Sequence, residues 1–455
     1  MTLIKPSEVS RLTNASPDIV RTISLNVPIE NLLNLCLSNK YLNSTICDDE
    51  KYWKLRYHQD YGDPSYQPSL WRQLYMQKYK SKNIFVMGNN KYGQLGITNG
   101  DNYDTPIELN IKAIKVSCGY YHTAVIDDEN NLWVTGLNNK GQLGLGDFTN
   151  RSTFYRVPDI NVLDVACGKH HTLIIDINKN VLGFGSNEHG QLGPVKADII
   201  SQPIKITEMK GFQVACGGEH SALINDDDVL YMFGSNSDGQ LGVEKLKGNI
   251  LYHPEVPYAG QVSCGEAHTI FTDLSSGIIY TFGRNLNGQL GYYREDQDFY
   301  RIPMASKEID ALDIACGHQH TLATTFDRKL IATGDNKCGQ LGVNVETEEF
   351  DPEFPREEDL INESFEFLDI KSENQMEVIS MSGGECHTVV IDTNNDIWGF
   401  GSNDMGQLGF KIIDYPVSTG LQNDSYDYPN KLIGLKGKQV SCGKQHTVII
   451  GYKSI

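Results

Sequence analysis

The chain has 455 residues, 39% of them apolar, and 58 acidic against 39 basic side chains, for a formal net charge of -19. That balance argues against a surface that wraps nucleic acid, because each phosphate contact draws on a Lys or Arg. No window approaches the roughly 18–20 uninterrupted apolar residues of a membrane span, and the start, Met1 to Pro6, lacks the apolar core of a signal peptide. The expectation is an acidic, soluble, intracellular protein, cytoplasmic or nuclear, with neither nucleic acid nor membrane as partner. Without a secretion signal, its ten cysteines are expected to be reduced.

Residues 10–80 read as a helical module. Ser16, Pro17 and Asp18 supply a capping hydroxyl, a Pro at the first helical position and an acid in the first turn. Ile19, Val20, Ile23 and Leu25 follow near one face. Pro28 opens a second helix carrying Ile29, Leu32, Leu33, Leu35, Cys36 and Leu37, which Ser38-Asn39 ends. A short segment with Tyr41 and Leu42 precedes an acidic turn, Asp48 to Glu50, then a helix with Tyr52, Trp53, Leu55 and Tyr57. A last helical piece holds Leu70, Trp71, Leu74, Tyr75 and Tyr79. A module this small is not expected to bury all these side chains among themselves, so a partner or the second domain should cover the remainder.

This order of features resembles an F-box, with Ser16-Pro17 in place of the usual opening Leu-Pro. The resemblance implies a Skp1-like adaptor as partner, bound through Pro17, Ile19, Ile23, Leu32, Leu33, Leu37 and Trp53. The alternative is a helical cap packed on the second domain.

From residue 82 to 453 two short frames recur. The first is G-x-N-x-x-G-Q-L-G, whose second Gly falls at 93, 141, 190, 239, 288, 339 and 406, giving spacings of 48, 49, 49, 49, 51 and 67. In its first copy the closing residues are Gly93, Gln94, Leu95 and Gly96. The second frame, C-G-x-x-H-[T/S], ends on His122, His171, His220, His268, His320, His387 and His446. Gly383 replaces Cys in the copy ending at His387. A constant period in this range signals a repeat architecture of propeller type. Within a period, apolar alternation marks three short strands, and a fourth, Pro-bearing one fits a blade edge. The chain enters on a second half-repeat (Ile84 to Met87) and leaves on a first half-repeat (Thr447 to Ile450). Pairing these halves closes a ring of seven blades and leaves no open edge.

These frames resemble the RCC1 (regulator of chromosome condensation) repeat over nearly the whole of 82–453. The fold expected is therefore an all-β seven-bladed propeller of RCC1 type, preceded by a small all-α F-box-like domain. Recurrence argues that the frame residues serve geometry. Gly takes turns of positive φ, Asn satisfies turn backbone groups, Leu plugs between blades, and Gln bridges blades. The seven His, distributed one per blade, should bond nearby backbone and are not expected to converge on a metal. The repeated Cys should fill a tight inner position. No cofactor loop, metal motif or catalytic constellation is visible, so no enzymatic activity and no cofactor are expected.

Two stretches depart from the period. Residues 343–378 form a strongly acidic insertion, expected to be a solvated loop or a docking loop for a basic partner. Residues 411–438 read as a surface loop, the alternative being a ligand contact through Tyr415, Tyr426 and Tyr428. Together the resemblances imply an interaction adaptor, the substrate-recognition subunit of a Skp1-cullin-F-box ubiquitin ligase, with an unknown protein substrate on a propeller face. The alternatives are guanine-nucleotide exchange on a Ran-like GTPase, or a plain propeller scaffold. Ultraviolet sensing is set aside because the repeats hold only Trp133 and Trp398.

Overall fold

The computed structural model describes residues 16–25, 27, 29, 32, 36, 42–61, 70–245, 253–254, 256–292, 298–343, 363–370, 376–410 and 425–454. The chain divides into two compact units, Met1–Ser81 and Lys82–Ile455.

The first unit is helical. Helix α1 (Pro17–Ser24) starts with Pro at its first turn; Ser16 is extended, but its hydroxyl makes no capping bond, so the cap read from the sequence is conformational only. A π-helical turn (Asn43–Cys47) leads into α2 (Glu50–Tyr61), and α3 (Trp71–Lys80) follows. Their shared core includes Val20, Leu32, Leu42, Trp53, Tyr57 and Tyr75. The Trp53 indole donates to the Cys47 carbonyl at 3.0 Å. Arg56 is buried among these rings, where its guanidinium donates to the carbonyls of Ser24 and Val27 and pairs with Asp60. It thereby adds a donor to the Ser24 carbonyl at the end of α1, which the Tyr52 hydroxyl and Val27 amide also reach, and supplies one to Val27 just beyond it. The expectation of ten reduced cysteines does not hold, because Cys36 and Cys47 are joined by a disulfide. Both lie outside the repeats, in a unit whose small core makes a covalent tie useful.

The second unit is the seven-bladed ring. Strand β1 (Lys82–Asn89) pairs with β2 (Asn102–Cys118) on one side and with β22 (His446–Lys453) on the other, from Asn83 opposite Gly451 to Gly88 opposite His446. First and last strands of the domain thus sit side by side in one blade, which closes the circle as the half-repeats require.

The remaining blades share one plan. In the second, the end of β2 pairs with β3 (His122–Asp127), β3 with β4 (Asn131–Gly136), and β4 with β5 (Arg151–Cys167). The far half of β5 then begins the third blade against β6 (His171–Asp176). The weak fourth strand of the sequence reading is therefore the first half of a 17-residue strand that serves two blades, with register shifts along the way. The third blade continues through β7 (Asn180–Ser186) to β8 (Ile199–Cys216), and the fourth through β9 (His220–Asn225) and β10 (Leu230–Gly234). Blade five holds β11 (Ala259–Cys264), β12 (His268–Asp273), β13 (Ile278–Arg284) and the first half of β14 (Phe299–Cys316). Blade six continues with β15 (His320–Thr325), β16 (Leu330–Asp335) and β17 (Glu363–Asp369). Blade seven has β18 (Val378–Gly383), β19 (His387–Asp392), β20 (Asp396–Ser402) and the start of β21 (Ser425–Cys442), whose far half returns to β22.

Two loop expectations change here. Strand β17 lies inside the acidic stretch 343–378 and pairs with β16, Glu363 opposite Asp335. The outer-strand requirement of a blade thus overrides the local charge. Residues 344–362 and 371–375 lie outside the described residues. Likewise 425–438 is strand: Tyr426 pairs with Gly401 and packs edge-on against Phe410, while Tyr428 is exposed. Tyr415 lies outside the described residues.

Candidate docking face of the propeller

The recurring frames build the hub. In every blade the His Nε2 lies 2.9–3.0 Å from the Thr or Ser hydroxyl that follows the His of the next blade: His122 to Thr172, His171 to Ser221, His220 to Thr269, His268 to Thr321, His320 to Thr388, His387 to Thr447, and His446 back to Thr123. Each of those hydroxyls also donates, at 2.6–2.9 Å, to the main-chain carbonyl of the frame Gln, as Thr123 does to Gln94. A hydroxyl has one proton to give, so it accepts from the imidazole, and every ring is the Nε2–H tautomer. The Nδ1 atoms are buried without a hydrogen-bond partner. Protonating one would bury an unpaired charge, and burial accordingly pushes His122 down to about 3 and His220 to about 4.

The expectation that these rings bond nearby backbone is thus corrected: they clip each blade to the next through a hydroxyl. The expected bridging by Gln also changes. The Gln94 side chain stays in its own turn, accepting from the Tyr92 amide and donating to Asn89, and only its carbonyl reaches the neighbouring blade. Asn90 Oδ1 accepts the Leu95 amide, and Leu95 is fully buried. Gly93 and Gly96 take φ of 82° and 71°. Among the described residues no group of three or more His, Cys, Asp or Glu is arranged to hold a metal.

The repeated Cys line the axial cavity. Cys118 and Cys442 point their thiols at carbonyls of the preceding blade, Ser441 and Ser382, at 3.3 and 3.4 Å. Burial raises the Cys167 thiol to about 12, so it stays protonated. Where Gly383 interrupts the series, a Cβ would stand 2.6 Å from His320 Nε2 and 2.7 Å from the Gly317 Cα. The neighbouring blade leaves no room for Cys there.

What varies sits on top of this scaffold. The residue directly after Gly in each frame, which varies among the blades, lines the mouth of the axial cavity. Tyr120 of the second blade stacks on His318 of the sixth, centroids 4.3 Å apart at 24°, across the axis. Lys169 and Lys444 lie over the Tyr120 ring at 5.4 and 5.7 Å. Lys444 also pairs with Glu385 at 3.0 Å. Burial, with help from the two lysines, drives His318 down to about 3, so it is neutral near pH 7. Burial and the facing Glu266 raise the Tyr120 phenol. The result is a plug of two aromatic rings framed by cations and carboxylates, suited to reading a mixed-charge protein surface. Sequence reasoning passed over these residues because it followed what recurs. Variation at a fixed place inside a constant frame is the signal that would have found them.

In the helical unit the residues read as Skp1-binding separate. Pro17, Ile19 (53% exposed) and Ile23 (48%) lie on the outside of α1, whereas Leu32 (1%) and Trp53 (0%) are core. Leu33 and Leu37 lie outside the described residues. Leu32 and Trp53 are thus corrected from contact residues to packing residues: α3 brings Tyr75 over Trp53, ring centroids 5.2 Å apart, and completes a core that the shorter module lacked.

Comparison with known proteins agrees with this architecture. Among curated relatives, the probable E3 ubiquitin-protein ligase HERC3 of Homo sapiens is 28% identical over 193 residues, covering 41% of this chain and 16% of that protein. The ultraviolet-B receptor UVR8 of Arabidopsis thaliana is 31% identical over 154 residues, 32% of this chain and 30% of that one. The chain therefore spans less than a third of the length of these relatives. Among solved structures, Prp20p from Saccharomyces cerevisiae superposes with a TM-score of 0.69 at 20% identity, over 82% of this chain and 92% of that one. Human WBSCR16 gives 0.68 at 20%, over 83% and 100%. The regulator of chromosome condensation (RCC1) repeat matches at residues 83–126, 129–175, 180–224, 276–324 and 394–450, and this chain belongs to that family.

Proposed function

We propose that the chain is a non-catalytic adaptor: its propeller holds a protein substrate at the Tyr120 face, and its helical unit attaches that substrate to a Skp1-type subunit of a cullin ubiquitin ligase. The observation that carries the reading is the division of labour in the repeat. The frame residues are consumed by blade-to-blade clips, and the blade-specific residues converge on one mouth. Such a face binds, and bringing a substrate to a tethered ligase works by effective concentration without bond-making by the chain itself. Relatives named as probable E3 ubiquitin-protein ligases carry the same repeats, which supports a place in ubiquitin transfer.

Exposed Ile19 and Ile23 supply the apolar contact for the ligase subunit. Co-purification with Skp1 tests this. The wild-type chain and a Leu32→Met variant should retain Skp1, and Ile19→Asp/Ile23→Asp should lose it; a wild-type chain that recovers no Skp1 sinks the reading. A nucleotide-release assay with Ran separates it from an exchange factor, since an adaptor leaves the release rate unchanged.

A further inference from the structure

Several blade boundaries share one side-chain meeting place. At these, the residue just before the Gly of a Gly-Gln-Leu-Gly turn reaches the residue just before the His of the next blade. At the first boundary Tyr92 meets Tyr121, ring centroids 4.9 Å apart. At the third, His189 Nε2 lies 3.3 Å from a Glu219 carboxylate oxygen. At the fifth, the Asn287 amide donates to Gln319 Oε1 at 2.6 Å. These three pairs differ in chemistry, and in each the two side chains touch. At the sixth boundary the same two positions are Cys338 and Cys386. The register that brings those pairs together sets these two thiols facing each other across the boundary.

Neither thiol belongs to the repeated Cys series, and both are free and half-buried. Their backbones are held: the Cys338 amide donates to Gln340 Oε1 at 2.8 Å, and the Cys386 carbonyl accepts from the Ser402 amide at 2.7 Å. The hydrogen bond from Cys386 holds the Cys338 thiol below the usual thiol range, whereas burial pushes the repeated thiol of Cys167 up. Thiolate character and access together make a cysteine oxidisable, and here a second thiol occupies the facing position.

We propose that Cys338 and Cys386 form a peroxide-responsive dithiol that closes to a disulfide between blades six and seven. The Cys338 thiolate attacks one oxygen of hydrogen peroxide; the O–O bond breaks, leaving a sulfenic acid on Cys338 and releasing one water after protonation. The Cys386 sulfur then attacks the Cys338 sulfur, the S–S bond forms, and the sulfenic oxygen leaves as a second water. Two thiols give up two electrons and two protons, and peroxide is reduced to two waters. A dithiol reductant restores the pair by exchange. The bond would anchor Glu385, the residue beside Cys386 and the partner of Lys444 at the mouth.

Peptide mapping tests this on the full chain. The protein is reduced, freed of reductant, exposed to equimolar hydrogen peroxide, blocked with N-ethylmaleimide and digested with trypsin without reduction. Peptides 338–356 and 372–411 each carry a single cysteine. A linked species joining them should account for more than half of both peptides, vanish on dithiothreitol treatment, and be absent from Cys338→Ser. Recovery of the two peptides separately blocked, separately over-oxidised, or linked to other cysteines overturns the proposal. The readout is on the wild-type chain, so it stands whether or not the variant folds.

Discussion

At the scale of single residues, the hub histidines make the ring acid-sensitive. Each has an unfolded value near 6.5 and a folded value near 3 or 4. Between those limits the unfolded chain binds more protons, so stability is fully present above about pH 6.5 and falls as pH drops toward the folded value. By pH 5 the loss is roughly 2 kcal/mol per histidine, and seven of them act together. We expect the thermal midpoint, followed by circular dichroism, to drop steeply between pH 6.5 and 4.5; a flat midpoint over that range contradicts the neutral-imidazole clip. A second expectation runs against the repeat pattern. Restoring the frame with Gly383→Cys should destabilise the propeller by about 1–3 kcal/mol through overpacking against His320, measured by urea unfolding. The period identified the histidines as structural, but not what they bond. A one-per-blade pattern says that a geometry repeats without saying whether the bond runs within a blade or across to the next.

Among individual elements, α1 and β17 show where a sequence is readable and where it is not. The start of α1 was legible from Pro17, because its ring pre-sets the helical φ whatever surrounds it. Which face of the module is core was not legible, because α3 lies beyond the stretch that resembles an F-box and decides the matter by covering Trp53. Strand β17 was hidden by its acidic neighbours: its pairing is imposed by β16, and local composition carries no trace of that. Arg56 gives the element-scale prediction. Arg56→Ala removes the guanidinium donor from the carbonyls of Ser24 and Val27, of which Ser24 keeps the Tyr52 hydroxyl and Val27 amide, and leaves Asp60 without its cation, at a cost of about 2–4 kcal/mol to the helical unit. Tryptophan fluorescence in urea should show this transition moving to lower denaturant, while Ile19→Asp/Ile23→Asp shifts it by less than about 0.5 kcal/mol.

For the whole molecule, seven blades and their closure were readable from the spacing and from the half-repeats at the domain's ends, because ring closure is a counting constraint. The axial mouth was not, since Tyr120 and His318 lie about two hundred residues apart in sequence and meet only because the ring brings the second and sixth blades to one axis. Closure also carries a prediction: a chain ending at residue 443 lacks β22, the strand between β21 and β1. It strips one ladder from each and removes two clips, His446 to Thr123 and His387 to Thr447. Its urea transition should be broadened and shifted to lower denaturant relative to the full chain; an unchanged transition would mean that closure contributes nothing to cooperativity.

The account as a whole rests on the two units acting as the two ends of an adaptor. Calorimetric titration of purified Skp1 into the purified full chain tests that most directly. Saturable one-to-one binding with a dissociation constant near a micromolar or tighter, abolished in a folded Ile19→Asp/Ile23→Asp variant, is the predicted result. No binding to the folded wild-type chain, or equal binding by the variant, would contradict it.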